Sequence, residues 1–200
     1  MLPEPIQQFI SLVSKLPSIG PRQATRLAFW LIKKGTTFLN DLARSVANLR
    51  SVRLCVRCFF VHTNDTLALC PLCSDPHREQ DRIMIVEKET DLMTIENSRT
   101  YRGTYMVLGE LTRGGILEDE QKKRIYALKE YIATLPQKTA QEIIIALNPT
   151  TYGDLTSGLL ERELAGCAQT ITHIGRGIPT GGEIEFADED TIGHAINRRS

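Results

Sequence analysis

Long hydrophobic runs are missing from this chain of 200 residues: the longest uninterrupted apolar stretch is five or six residues, as from Ile143 to Leu147. A bilayer requires roughly twenty, so no membrane-spanning helix is expected. The opening residues, MLPEPIQQFISLVSK, lack a basic segment followed by an apolar one. No secretory signal is therefore visible, and the cytoplasm is the expected location. Low-complexity tracts and internal repeats are lacking too, and 42% hydrophobic with 24% charged residues excludes a disordered tail or a fibre. One or two folded domains are expected at this length.

Net charge is also missing, with 24 Lys+Arg against 24 Asp+Glu, yet the charges are unevenly placed. Residues 1–53 hold eight basic side chains (Lys15, Arg22, Arg26, Lys33, Lys34, Arg44, Arg50, Arg53) and two acidic ones (Glu4, Asp41), a balance of +6 that the rest of the chain cancels. Such asymmetry points the basic end toward a polyanion, although by charge alone a solvated basic helix face is the simpler reading.

Cysteine is present five times, and in a reducing compartment these are thiols, not disulfides. Four are paired: Cys55-Val-Arg-Cys58 and Cys70-Pro-Leu-Cys73 form two C-x2-C knuckles separated by eleven residues. Each knuckle can place two sulfurs on one tetrahedral ion, and zinc is the metal such a set takes. The intervening segment is somewhat shorter than the usual 15–20 residues but long enough for a small hairpin. Unrelated core cysteines and a redox pair are the alternatives; redox chemistry needs only one C-x-x-C. With four thiolates no coordination position is open to water, so the expected role is structural. His62 and His77 lie nearby, surplus to the ligand set, and are expected at the surface. Cys167, among Leu164, Ala165, Gly166 and Ala168, reads as a buried small hydrophobe.

The first segment is helical, with Ile6, Phe9, Ile10 and Val13 on one stripe, and stops at Pro17. A second helix starts at Pro21, where proline suits a first helical position, and carries Ala24, Leu27, Ala28 and Leu31 on one face as far as Gly35. A third is expected from about Asn40, with Leu42, Val46 and Leu49 inward. The cysteine module occupies 54–76. Beyond it strands at Ile83–Val86, Tyr105–Leu108, Ile143–Leu147 and Thr170–Ile174 alternate with helices at Thr90–Glu96, opening on a threonine cap, at 118–134 and at Asp154–Ala165. Such alternation implies a mostly parallel sheet covered on both faces. Residues 190–199 read as a short terminal helix. The expected fold class is a multidomain α+β chain: helical residues 1–53, the cysteine module 54–76, an α/β domain 80–175, and a glycine-rich segment with a helix at 176–200.

The hairpin between the first two helices, with Gly20 at its tip, exposes backbone N–H groups at the start of the second helix, a place that favours phosphate. Arg22 and Arg26 follow at i, i+4 and emerge on the same face, able to clamp a nucleic-acid backbone by charge and shape. Spacing alone allows an ordinary helical hairpin equally well; the basic balance of residues 1–53 favours DNA or RNA.

The stretch Leu16-Pro17-Ser18-Ile19-Gly20-Pro21-Arg22-Gln23-Ala24-Thr25-Arg26-Leu27-Ala28 resembles the helix-hairpin-helix of the RecR recombination-mediator family, and the four cysteines sit where that family places its own. Arg22 and Arg26 align with its DNA-contacting positions. The family usually has Gly-x-Gly in the hairpin, and here Ser18 replaces the first glycine; if that position needs a positive φ, serine is strained there. The alternating half resembles a Toprim domain, the metal-binding fold of topoisomerases and primases. Glu87 closes the first strand as the Toprim glutamate does. Asn148-Pro149-Thr150-Thr151-Tyr152-Gly153-Asp154 lies where a catalytic Toprim domain has Asp-x-Asp, and both aspartates are missing. Glu87 and Asp154 could hold a metal weakly or meet a partner, but metal-assisted phosphodiester chemistry depends on charge this loop lacks.

Gly175-Arg176-Gly177-Ile178-Pro179-Thr180-Gly181-Gly182 is not a P-loop, having no Gly-Lys-Ser/Thr, and reads as tight turns or a subunit contact; with the residues after it, it is similar to the C-terminal RecR signature. The resemblance implies a non-catalytic mediator of recombinational repair that binds DNA as a dimer or tetrameric ring, acting with RecO and RecF to load RecA at single-stranded gaps. The competing reading is an enzyme, a Mg-dependent nuclease or primase using Glu87 and Asp154. A zinc-stabilised interaction module without a nucleic-acid role is a third.

Overall fold

Proline and glycine set the boundaries of the first helices in the computed structural model, which describes residues 2–63, 66, 68–112, 114 and 116–197. Helix α1 spans Glu4–Val13 with proline in its first turn and ends four residues before Pro17, the residue expected to stop it: the Ser14 N–H closes the last turn on the Ile10 carbonyl at 3.0 Å, and turns follow. Helix α2 spans Pro21–Lys34 with Pro21 as its first residue. Helix α3, Thr36–Asn48, begins earlier than Asn40. Gly35, at φ 85°, ends α2, and its carbonyl already accepts the Leu39 N–H at 3.2 Å, so helical bonding restarts without a linker. Leu42, Val46 and Leu49 do not point inward: they are exposed, Leu49 at 66%. Their periodicity makes an apolar face, but no residue of α3 is buried.

Chain contacts divide the protein into two compact units, Met1–Val52 and Arg53–Ser200. The second opens with a hairpin of β1, Arg53–Leu54, and β2, Val61–His62, followed by the short helix α4, Pro71–Ser74. Then come β3 (Glu79–Val86), α5 (Glu89–Ser98), β4 (Gly103–Val107), α6 (Asp119–Thr134), β5 (Ala140–Ala146), α7 (Thr151–Glu163), β6 (Ala168–His173) and α8 (Glu189–Asn197). Residues 198 and 199 of the expected terminal helix, and 64, 65 and 67 of the cysteine module, lie outside the described residues. Strand β3 starts well before Ile83, and α7 starts at Thr151 because Thr150, not a residue nearer Asp154, caps it by accepting the Gly153 N–H at 3.1 Å. Thr90 is no cap for α5; Asp91 accepts the Lys88 N–H at 3.1 Å, one turn earlier.

The four long strands form a parallel sheet in the order β4-β3-β5-β6. Strand side chains alternate between its faces. Ile83, Ile85, Ile143 and Ile145 join Ile125, Leu128 and Ile132 of α6 and Leu160 of α7 in one core, while Met84, Val86, Tyr105 and Val107 join Leu92 of α5 in another. Where helices cover both faces the strands are continuous apolar runs, Ile83–Val86 of β3, Tyr105–Val107 of β4 and Ile143–Ala146 of β5, as parallel sheets require, whereas β3 opens on the polar Glu79–Arg82 and β6 buries no residue. Phe60 and Leu72 of the cysteine module pack on the second core, and the edge strand β4 is covered there: the Val107 N–H donates to the Cys58 carbonyl at 2.8 Å. Cys167 is half-buried against the first core, not fully enclosed, because it lies just outside the start of β6.

Candidate nucleic-acid interface and metal centre

The hairpin that leads into α2 turns through Ser18, whose φ of 61° is left-handed, with the Ile19 N–H donating to the Leu16 carbonyl at 3.2 Å. Serine thus occupies the position that favours glycine, whereas Gly20, at φ −85°, does not need its freedom. Gly20 caps α2 without a side-chain hydrogen bond, which leaves first-turn N–H groups to solvent or a ligand. Arg22 and Arg26 are exposed beside them, and among the described residues neither makes an ion pair or side-chain hydrogen bond. Two unneutralised guanidinium groups next to the positive end of a helix form an anion-attracting surface.

The four paired cysteines meet. Their Sγ atoms all lie within 4.8 Å of one another, and each side chain is buried. Cys58 and Cys70 Sγ are 3.4 Å apart, and the Cys70 N–H points at Cys55 Sγ at 3.4 Å. Sulfurs bound to one tetrahedral ion at about 2.3 Å would stand about 3.8 Å apart, so the set fits such an ion. The first knuckle closes by the Phe59 N–H donating to the Cys55 carbonyl at 3.0 Å and the Cys55 N–H to Phe60 at 2.9 Å, with Phe59 left-handed at φ 61°. Crowded together, the thiols cannot share one protonation state. Hydrogen bonds from Cys58, Cys70 and Cys73 hold Cys55 far below its ordinary value. Cys55 pushes Cys70 up, but bonds from Cys58 and Cys73 outweigh it and bring Cys70 to about 7. Contact with the Cys55 sulfur pushes the Cys58 and Cys73 thiols up. A cation would relieve the conflict by taking all four as thiolates.

Two arginines that belong to no sequence motif fasten this module to the sheet. Arg57, inside the first knuckle, donates to the Cys73 carbonyl at 3.0 Å and to Gln80 Oε1 at 2.9 Å, and lies over the Tyr131 ring at 4.3 Å. Arg124 of α6 lies over the Phe59 ring at 5.0 Å and donates to the Val107 carbonyl at 3.0 Å. Only the position of Arg57 between ligands hinted at such a part. His62, expected at the surface, is buried at 8% because β2 turns it inward beside the module; His77 is exposed as expected.

At the carboxyl ends of the strands Glu87 is buried at 8%, and Asn148 Nδ2 donates to its Oε2 at 2.9 Å while Lys88 Nζ stands 3.3 Å from Oε1. The loop after β5 approaches itself closely. A Cβ on Gly153 would fall 1.9 Å from the Asn148 carbonyl oxygen, so only glycine fits. Asp154 is separate from Glu87's pairing: it forms an ion pair with Arg176 in a depression of about 490 Å³ that Asp188, Asp190 and His194 also line, and Glu87 does not. Among the described residues neither acid belongs to a group of three or more His, Cys, Asp or Glu placed to hold a metal. The glycine-rich segment makes the tight turn read from its sequence, with Gly181 at φ 87° and the Gly182 N–H donating to the Pro179 carbonyl at 2.8 Å.

A helical hairpin with exposed arginines, a buried four-thiol centre that can hold a metal ion, and a parallel sheet whose strand ends gather polar groups define a helix-hairpin-helix and Toprim protein. Residues 6–49 match the RecR helix-hairpin-helix, 81–174 the Toprim domain, and 177–200 the RecR C-terminal region. The chain is 37% identical to Recombination protein RecR of Roseiflexus castenholzii over 200 residues, covering all of this chain and 95% of that one. It is 36% identical to Recombination protein RecR of Chloroflexus aggregans over 202 residues, with the same coverage. That of Frankia alni is 35% identical over 197 residues, covering 97% of this chain and 95% of that one. The chain belongs to the RecR family of DNA repair and recombination proteins. No helix among the described residues is long and apolar enough to cross a membrane.

Proposed function

We propose that this protein is a non-catalytic recombination mediator that binds DNA through Arg22 and Arg26, closes around it as an oligomeric ring, and acts with RecO and RecF to load RecA at single-stranded gaps. The observation that carries the DNA contact is the pair of exposed arginines, without partners among the described residues, beside the uncapped first turn of α2. Oligomerisation is supported by the apolar side chains left in water on α3 and just after it, among them Leu42, Val46 and Leu49, a face that a second copy would cover. Repeating the arginine pair around a ring multiplies modest phosphate contacts without sequence reading. Zinc in the four-thiolate site serves as a structural ion and keeps the knuckles folded against β4. A non-catalytic Toprim domain is favoured by its two candidate acids being engaged by other side chains of the protein, the buried Glu87 with Asn148 and Lys88 and the exposed Asp154 with Arg176. Phosphoryl-transfer metals need carboxylates free to ligate them.

The test is a salt titration of binding to an end-labelled gapped duplex with Mg²⁺ present, comparing wild type with Arg22→Ala/Arg26→Ala. Steep salt dependence in wild type, loss of binding in the double variant and an intact label are the expected results. A cut label would move the function to Glu87 and Asp154 as an enzyme; unchanged binding by the double variant would remove the hairpin from the interface.

A further inference from the structure

Helix α2 places Arg22, Arg26, Trp30 and Lys34 four residues apart, which sets two guanidinium groups, an indole and an ammonium along one helix face. Trp30 is the single tryptophan of the chain and is 47% exposed. Large aromatic side chains normally bury their apolar area, so an indole held in water between cations needs a reason. Its placement is fixed: Phe38 meets it edge to face, with ring centroids 5.6 Å apart and planes at 88°, and Lys34 Nζ stands 5.0 Å from its centroid. Toward the arginines it borders an open depression of about 570 Å³ lined also by Ile19, Gln23, Arg26 and Leu27.

We propose that Trp30 is a stacking platform for an unpaired nucleobase, making the α2 face a reader of single-stranded DNA whose phosphates run along Arg22, Arg26 and Lys34. This inference rests on the DNA-binding reading of the hairpin given above and adds what that reading lacks, a means of preferring a single strand. Phosphate contacts alone do not distinguish single from double strands, because both carry them. A π-face does: bases of a duplex are already stacked on their neighbours, whereas an unpaired base gains by stacking on an aromatic ring whatever its identity. The positive charges on either side of the indole match the polyanion and not a second copy of this same basic face, which would bring like charges together.

Because Trp30 is the only indole, its emission reports the contact directly. Titrating the full-length, metal-loaded protein with oligo-dT is expected to quench the tryptophan fluorescence, while a blunt duplex of the same length binds with little quenching. Trp30→Leu is expected to weaken oligo-dT binding about fivefold or more while leaving duplex affinity and the salt slope unchanged, since no phosphate contact is lost. Trp30→Tyr, which keeps a stacking ring, should restore most of the loss. Binding of oligo-dT without quenching, or unchanged affinity in Trp30→Leu, would overturn the inference even if Arg22→Ala/Arg26→Ala still abolishes binding. Emission that shifts with protein concentration and ignores oligo-dT would assign Trp30 to a contact between copies instead. Failure of wild type to bind any DNA at low salt would remove the hairpin reading together with this one. If Trp30→Leu does not fold, the wild-type titration decides alone.

Discussion

Among the described residues of the helical unit three apolar side chains are buried, Ala24, Ala28 and Leu31, all on α2, whereas the α/β unit encloses two cores on the two faces of its sheet and a third around its four sulfurs. Burial stabilises by about 25 cal/mol per Å² of apolar surface, and small domains have little such surface to remove from water. The α/β unit uses its apolar residues on itself. The helical unit leaves Phe29, Trp30, Leu42 and Leu49 exposed, so its apolar and basic side chains are available to something outside the chain. Apolar burial is concentrated in one region, and exposed apolar and basic side chains in the other.

The largest effect that would break this contrast is expected at the metal centre. Cys58→Ser should give insoluble or metal-free protein, checked by metal analysis and thermal melting, because one lost thiolate leaves three buried sulfurs without a complete tetrahedral shell. A soluble, well-folded, metal-free variant would show that the sheet does not depend on the knuckles. Next in size is the matched pair Ile143→Ala and Leu42→Ala, measured by denaturant unfolding. Ile143 is fully enclosed and should cost about 2–5 kcal/mol, while Leu42 is exposed and should cost under about 0.5 kcal/mol in the monomer but weaken association measured by sedimentation. Equal costs would mean that the helices are not completed from outside. Smallest is Ser18→Gly, which should stabilise the helical unit by about 0.5–1 kcal/mol by relieving a left-handed serine. A melting temperature that falls would show that the serine hydroxyl is needed in the turn.

Much of the site was legible before the structure. The C-x2-C spacing singled out four residues that do converge, Pro21 marked the start of α2, and Ile125, Leu128 and Ile132 marked the buried face of α6. Periodicity misled at α3, because an apolar stripe says that a face is apolar and not what lies against it. The same limit hid the burial of His62 and the exposure of Trp30, which depend on neighbours distant in sequence.

The sequence by itself determined the local features: which segments are helix or strand, that Pro21 starts and Gly35 ends α2, which thiols share a spacing, and that residues 1–53 are basic. Tertiary structure alone decided that Arg57 and Arg124 fasten the cysteine module to β3, β4 and α6, that Asn148 and Lys88 engage Glu87, and that Arg176 engages Asp154. Local propensity is a property of neighbours along the chain, but a charge is neutralised by whatever the fold brings within a few ångströms, and no spacing rule encodes that.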